Sequence, residues 1–113
     1  MRRLLPSVLL CLVLLASACK GQPLPADKAE FAGRWHGVGI QLEIRPEGHV
    51  SYRKSEGRST VTIDGPLQGW QGDDFVVGVM VVKTKFHVTE PPHLVDGKWM
   101  MTVDGVELTR VEE

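Results

Sequence analysis

Apolar residues follow two rhythms along this chain. Residues 4–15 form an apolar run interrupted only by Pro6 and Ser7, whereas from Gly33 onward apolar residues come in short runs that alternate with polar ones. The first run is preceded by Arg2 and Arg3 and followed by the small residues Ala16-Ser17-Ala18, the three-part layout of an export signal. It is shorter than the roughly 18 to 20 residues a helix needs to cross the hydrocarbon core, so a cleaved signal over residues 1–18 is expected in preference to a retained span.

The second rhythm is punctuated by turn signals at Pro46-Glu47-Gly48, Glu56-Gly57-Arg58, Asp64-Gly65-Pro66, Gln71-Gly72-Asp73, Asp96-Gly97 and Asp104-Gly105. Short strands at near-regular spacing predict an all-β domain over residues 33–113, a small antiparallel meander barrel of about seven to eight strands. Val38, Ile40, Leu42 and Ile44 alternate with polar or small residues and define a first strand with one buried face; Val50 with Tyr52, and Val61 with Ile63, continue the pattern. Residues 75–82 are apolar throughout. A strand covered on both faces is the simpler account, and an outer face left bare for a partner or for lipid is the alternative.

Asp104-Gly105 between Val103 and Val106 is a strong two-residue hairpin signal. It pairs Val103 with Val106, Met101 with Leu108 and Trp99 with Arg110 on one sheet face. Arg110 is thereby placed on the apolar side opposite a tryptophan, where it has to be stacked, paired or near a cavity.

Between the two rhythms, Gly21-Gln22-Pro23-Leu24-Pro25-Ala26 reads as a semi-extended tether, able to hold the domain on the order of 20 Å from its attachment point. Asp27 with Glu30 suggests a capping box and one helical turn through Phe31. Residues 19–32 are thus a linker with a short helical turn.

Leu15-Ala16-Ser17-Ala18-Cys19 resembles the lipobox of bacterial lipoproteins, with Ala16 where that family usually has leucine. The resemblance implies cleavage before Cys19, acylation of that residue and attachment to the lipid bilayer in the cell envelope. Lys20 stands where lipoproteins kept in the inner membrane often have aspartate, which implies the outer membrane, facing the periplasm. Cys11 leaves with the signal, so Cys19 is the sole remaining cysteine and forms no internal disulfide. Removing residues 1–18 reduces 13 basic residues to 11 against 14 acids, a formal charge of −3 that gives no basic excess for nucleic acid.

Gly33-Arg34-Trp35, after a short helical turn and at the start of the strands, resembles the Gly-x-Trp motif of lipocalins and related calycin barrels. In that family the tryptophan closes one barrel end and an arginine from a late strand packs across it, the part that Arg110 would take here. This domain is shorter than most lipocalins, which bears on the size of any ligand cavity.

Catalytic signatures are absent: there is no Gly-x-Ser-x-Gly elbow, phosphate loop or His-Glu-x-x-His pattern. Asp73 and Asp74 are adjacent acids that a turn explains. His36, His49, His87 and His93 lack helical ligand spacing; His87, Glu90 and His93 are the candidate cluster, with His93 in a loop after Pro91-Pro92. Arg53, Lys54 and Arg58 could meet anionic headgroups, although a solvated hairpin tip containing Glu56 accounts for them. Neither a cofactor nor a metal is expected, and no enzyme activity. The expected function is a non-catalytic binding module for a small apolar or amphipathic ligand, held near Arg110, Trp35 and Tyr52. The alternative is a protein-interaction module, such as an envelope-assembly accessory or enzyme inhibitor, using Trp70, Phe75, Pro91 and Pro92 as its surface.

Overall fold

A computed structural model describes residues 21–111. Cys19 and the export signal lie outside the described residues. A 3-10 helix (Ala26–Phe31) precedes nine strands: β1 (Gly33–Gly37), β2 (Ile40–Ile44), β3 (His49–Glu56), β4 (Ser59–Gln71), β5 (Asp74–Val79), β6 (Val82–Phe86), β7 (Val88–Val95), β8 (Lys98–Val103) and β9 (Val106–Val111). They form one antiparallel sheet, ordered β6-β5-β4-β3-β2-β1-β9-β8-β7 and curled into a half-barrel.

Two more strands form than the lower expected number, for local reasons. Gly33–Gly37 is a strand of its own, and Val38-Gly39 is the turn after it, with Gly39 at φ 72°. Val38 is therefore almost fully exposed instead of beginning the buried alternation, which starts at Ile40. The segment holding Pro91 and Pro92 is strand β7, not a loop; its ladder to β8 slips between Val88 and Glu90 and again between Glu90 and His93. Proline has no N–H for a ladder, so it is tolerated here because β7 is an edge strand with bulges.

The half-barrel shape comes from strands that change partner. In the 13-residue strand β4, residues 59–66 pair with β3, then Leu67 pairs with Val77 of β5, with a register shift between Leu67 and Gly69. Val61 is exposed and Ile63 half-buried, because the early part of β4 reaches beyond the core. The sheet edges β6 and β7 are consecutive in the chain and joined through His87, so the rim meets at a covalent corner.

Two apolar segments differ from their expected roles. Residues 75–82 are not one covered strand: Phe75 and Val77 are buried, but the chain turns at Met80-Val81 and residues 79–82 are exposed. Residues 21–26 are not a free spacer either. Gln22 N–H donates to the Leu67 carbonyl (2.9 Å), Leu24 N–H donates to the Pro46 carbonyl (3.0 Å), and Leu24 packs against the core.

The core is a continuous apolar cluster in which Leu42, Ile44, Val50, Leu67, Val77, Met101, Val103 and Leu108 surround Trp35, Phe75 and Phe86. Phe75 stacks on Phe86 with centroids 5.0 Å apart, and Tyr52 meets Phe86 edge-on at 4.9 Å. An eight- or nine-stranded barrel is narrow enough for such side chains to fill its interior.

Candidate functional site

The residues expected around an interior ligand are found at the end closed by the 3-10 helix and β1. Trp35 is 0% exposed, and its indole N–H donates to the Phe31 carbonyl at 2.9 Å. Across the β1–β9 ladder Trp35 pairs with Arg110, whose guanidinium carbon lies 4.9 Å from the Trp35 ring and 5.0 Å from the Trp99 ring. The arginine is stacked between two indoles, as its hairpin register requires. Its terminal nitrogen donates to the Glu30 carbonyl and lies 4.0 Å from the Glu30 carboxylate. Gly33, at φ 137°, leaves room for the stack: a Cβ there would stand 3.1 Å from Arg110 Nε. That Nε atom is buried without a hydrogen-bond partner.

Tyr52 is buried against Phe86, and burial raises its phenol above the ordinary value. Trp35 and Tyr52 share the continuous core, Trp35 carrying Arg110 on its ring and Tyr52 meeting Phe86. The acceptor that sequence reasoning missed is Glu30, through its main-chain carbonyl. No side-chain pattern marks a backbone acceptor in advance.

One residue of the expected partner surface is not at the surface. Phe75 is 0% exposed and belongs to the core, a correction that follows from β5 pointing Phe75 and Val77 to the same inner face. Trp70 is half-buried, edge-on to Phe31 at 4.9 Å, with the Lys28 ammonium 5.3 Å above its ring. Pro91 is exposed and Pro92 half-buried on edge strand β7. Among the described residues the longest run of bare apolar side chains is the β5–β6 tip, where Val79, Met80, Val81 and Val82 are 58%, 83%, 92% and 74% exposed; Val38, Val61, Leu94, Val95 and Val111 are exposed elsewhere.

Several of the other charged groups are engaged in structural pairs. Asp73 receives the Lys28 ammonium at 2.9 Å. Asp74 secures the His87 corner: its Oδ1 accepts the Val88 N–H at 2.8 Å and its Oδ2 lies 2.9 Å from His87 Nδ1. The Val88 N–H, followed by the His87 ring, holds the Asp74 carboxyl below the usual carboxylate range. Asp104 completes the corner by accepting the His87 N–H at 3.0 Å while donating its own N–H to the His87 carbonyl at 2.7 Å. The helical turn forms as expected but without its capping box, since Pro25 is the N-cap and no side chain caps it.

His87 and His93 are held separately, His87 by Asp74 and His93 by the Pro91 carbonyl at 2.8 Å. Among the described residues, no group of three or more His, Cys, Asp or Glu side chains could hold a metal ion. His49 pairs with Asp64 at 2.6 Å. In the basic hairpin, Lys54 bonds Glu56 at 3.1 Å, and this hydrogen bond, then the carboxylate charge, raises the Lys54 ammonium above its ordinary value.

An open concavity of about 480 Å³ lies over the outward face of β1–β4, with Arg34, His36, Gln41, Glu43, Arg53 and Asp64 among its lining residues. Charges of both signs meet within it, where Glu43 accepts from Arg34 at 3.2 Å. Of the three residues expected around a ligand, Tyr52 is among the groove's lining, and Trp35 and Arg110 are not. Comparison of the chain with protein-family models, with curated proteins and with solved structures finds no match.

Proposed function

We propose that this chain is a cell-envelope lipoprotein, anchored through acylated Cys19 on the periplasmic face of the outer membrane, whose β domain is a non-catalytic binding module that engages an envelope partner through its outer surface. The observation that carries the surface reading is the division of the two faces. Apolar side chains occupy the interior, while the groove over β1–β4 presents Arg34, His36, Gln41, Glu43, Arg53 and Asp64. Mixed charge on a groove of this kind suits recognition of a polar protein surface through paired charges and bridging water.

A photoreactive residue in place of Thr62, within the groove, is expected to crosslink a discrete partner in intact cells, whereas the same residue in place of Lys98 gives none. Loss of the Thr62 adduct on Arg53→Glu supports the reading; equal adducts from both positions overturn it. Anchoring is tested separately: palmitate is expected in the wild-type chain and missing from the Cys19→Ala chain.

The second reading, a small amphipathic ligand beside Arg110, draws on the buried Arg110 Nε without a partner. Native mass spectrometry is expected to reveal a bound mass that Arg110→Lys loses if this reading holds. A bare chain counts against it.

A further inference from the structure

The β5–β6 hairpin ends in a turn unlike its counterparts. Val79 pairs with Val82 across the two-residue turn Met80-Val81, and Met80 has φ 56°. The β7–β8 and β8–β9 hairpins fill the equivalent left-handed position with Asp96 and Asp104, each followed by glycine, the chemistry such a turn favours in water. Methionine and valine are poor choices there for a solvated turn, and residues 79–82 form a contiguous bare apolar tip. A residue that the turn geometry disfavours at such a position is a pointer to function.

The surrounding charge and the course of the chain narrow the occupant. No acid occurs between Asp74 and Glu90, while Lys83 and Lys85 follow the tip; Lys85 lies 3.7 Å from Asp74, and Lys83 is exposed. At the start of the described chain, Gly21 is wedged between the Gly48 carbonyl and Leu67 N, and Gln22 bonds the Leu67 carbonyl. Leu67 pairs with Val77, and the Gln68 amide donates to the Gly78 carbonyl. Gly21 and the base of the tip are therefore fastened to the same stretch of β4, residues 65–68. Cys19 is two residues upstream of Gly21, a span of at most about 7 Å.

Resting on the anchoring reading above, we propose that the β5–β6 tip is a second membrane contact: residues 79–82 enter the acyl boundary of the bilayer and Lys83 meets anionic headgroups. Acyl chains on Cys19 hold this corner of the domain against the membrane, and the tip then orients the barrel on it. Interfacial amphipathic helices bury their apolar face by about 5–10 Å with basic residues at the headgroup level, and the tip followed by Lys83 has the same division of apolar and basic side chains. Contact with lipid also removes the exposure of four large apolar side chains.

The test uses the chain recovered from bacterial membranes and reconstituted in vesicles of phosphatidylethanolamine and phosphatidylglycerol at 7:3. An environment-sensitive fluorophore is attached to Val81→Cys, and in a separate chain to Arg58→Cys at the β3–β4 tip. Doxyl-labelled lipids are expected to quench the first and not the second, and Met80→Asp, which suits a left-handed turn, is expected to abolish the quenching while the fold is retained by circular dichroism. In a Cys19→Ser chain, Met80→Asp is expected to lower partitioning into the same vesicles by about tenfold, as removing one apolar anchor implies. Intact mass reports acylation independently. Acylated chain with an unquenched fluorophore at position 81 overturns the tip proposal and leaves the anchor standing; wild-type chain found unacylated, with quenching at position 81 in a chain that also carries Cys19→Ser, supports the tip and overturns the anchor. Failure of both readouts overturns both.

Discussion

The β8–β9 and β5–β6 hairpins are built on the same plan, with two central residues and a left-handed first position, yet they solve opposite problems. At Asp104-Gly105 both residues have positive φ, 49° and 80°, and the aspartate also secures the His87 corner. Behind that turn, Met101, Val103 and Leu108 are buried in the core. At Met80-Val81 the turn residues are apolar and exposed, and Gly78 beneath them admits no Cβ because it would collide with the Val82 carbonyl oxygen. One hairpin spends its apolar residues on packing and its polar residues on the turn; the other carries apolar residues beyond the core. Hydrophobicity alone does not say which is structural, since what matters is whether a second surface lies opposite.

The largest effect expected to separate the two is Met101→Ala. Truncating a fully buried methionine should lower unfolding free energy by about 2–5 kcal/mol, whereas Val81→Ala, at an exposed tip, should change it by no more than about 0.5 kcal/mol. Denaturant titrations of the two variants check this directly, and equal losses would mean that the β5–β6 tip is packed in solution.

Gly105→Ala comes next. Forcing alanine into a left-handed turn should cost about 1–2 kcal/mol, read as a lower denaturation midpoint with unchanged slope. Met80→Asp should have the opposite sign, a gain of up to about 1 kcal/mol, because aspartate tolerates this backbone region better than methionine does. If Met80→Asp destabilises the isolated chain, its apolar side chain has a folding role and the contrast between the hairpins weakens.

The smallest expected difference is in pH response. The folded Asp74 carboxyl lies below its ordinary value, through the Val88 N–H first and His87 second. Its contribution is therefore fully present above the unfolded value of about 4 and is lost as pH falls through the lower folded value. Wild type should lose stability more steeply than Asp74→Asn as pH drops below about 5, measured by midpoints taken at steps from neutral to acid. Parallel curves would mean that the corner does not depend on the carboxylate charge.

Features carried by short range were legible in the sequence. The Asp104-Gly105 register placed Arg110 on the apolar face, where it is stacked between Trp35 and Trp99. The alternation from Ile40 through Tyr52 matched buried positions. The candidate surface was less legible, because Phe75 and Val81 belong to the same apolar run and only the turn between β5 and β6 assigns one to the core and the other to the outside.

By itself the sequence determined the all-β class, the meander order and the inward arginine, since alternation, turn chemistry and hairpin register act over a few residues. Only the tertiary structure decided that β4 changes partner at Leu67, that Asp74 and Asp104 grip the His87 corner, and that the linker is fastened to β4 at Leu67, opposite Val77. Each of these joins groups far apart in the chain through backbone N–H and carbonyl groups. Every residue carries such groups, so side-chain pattern cannot identify the ones that meet.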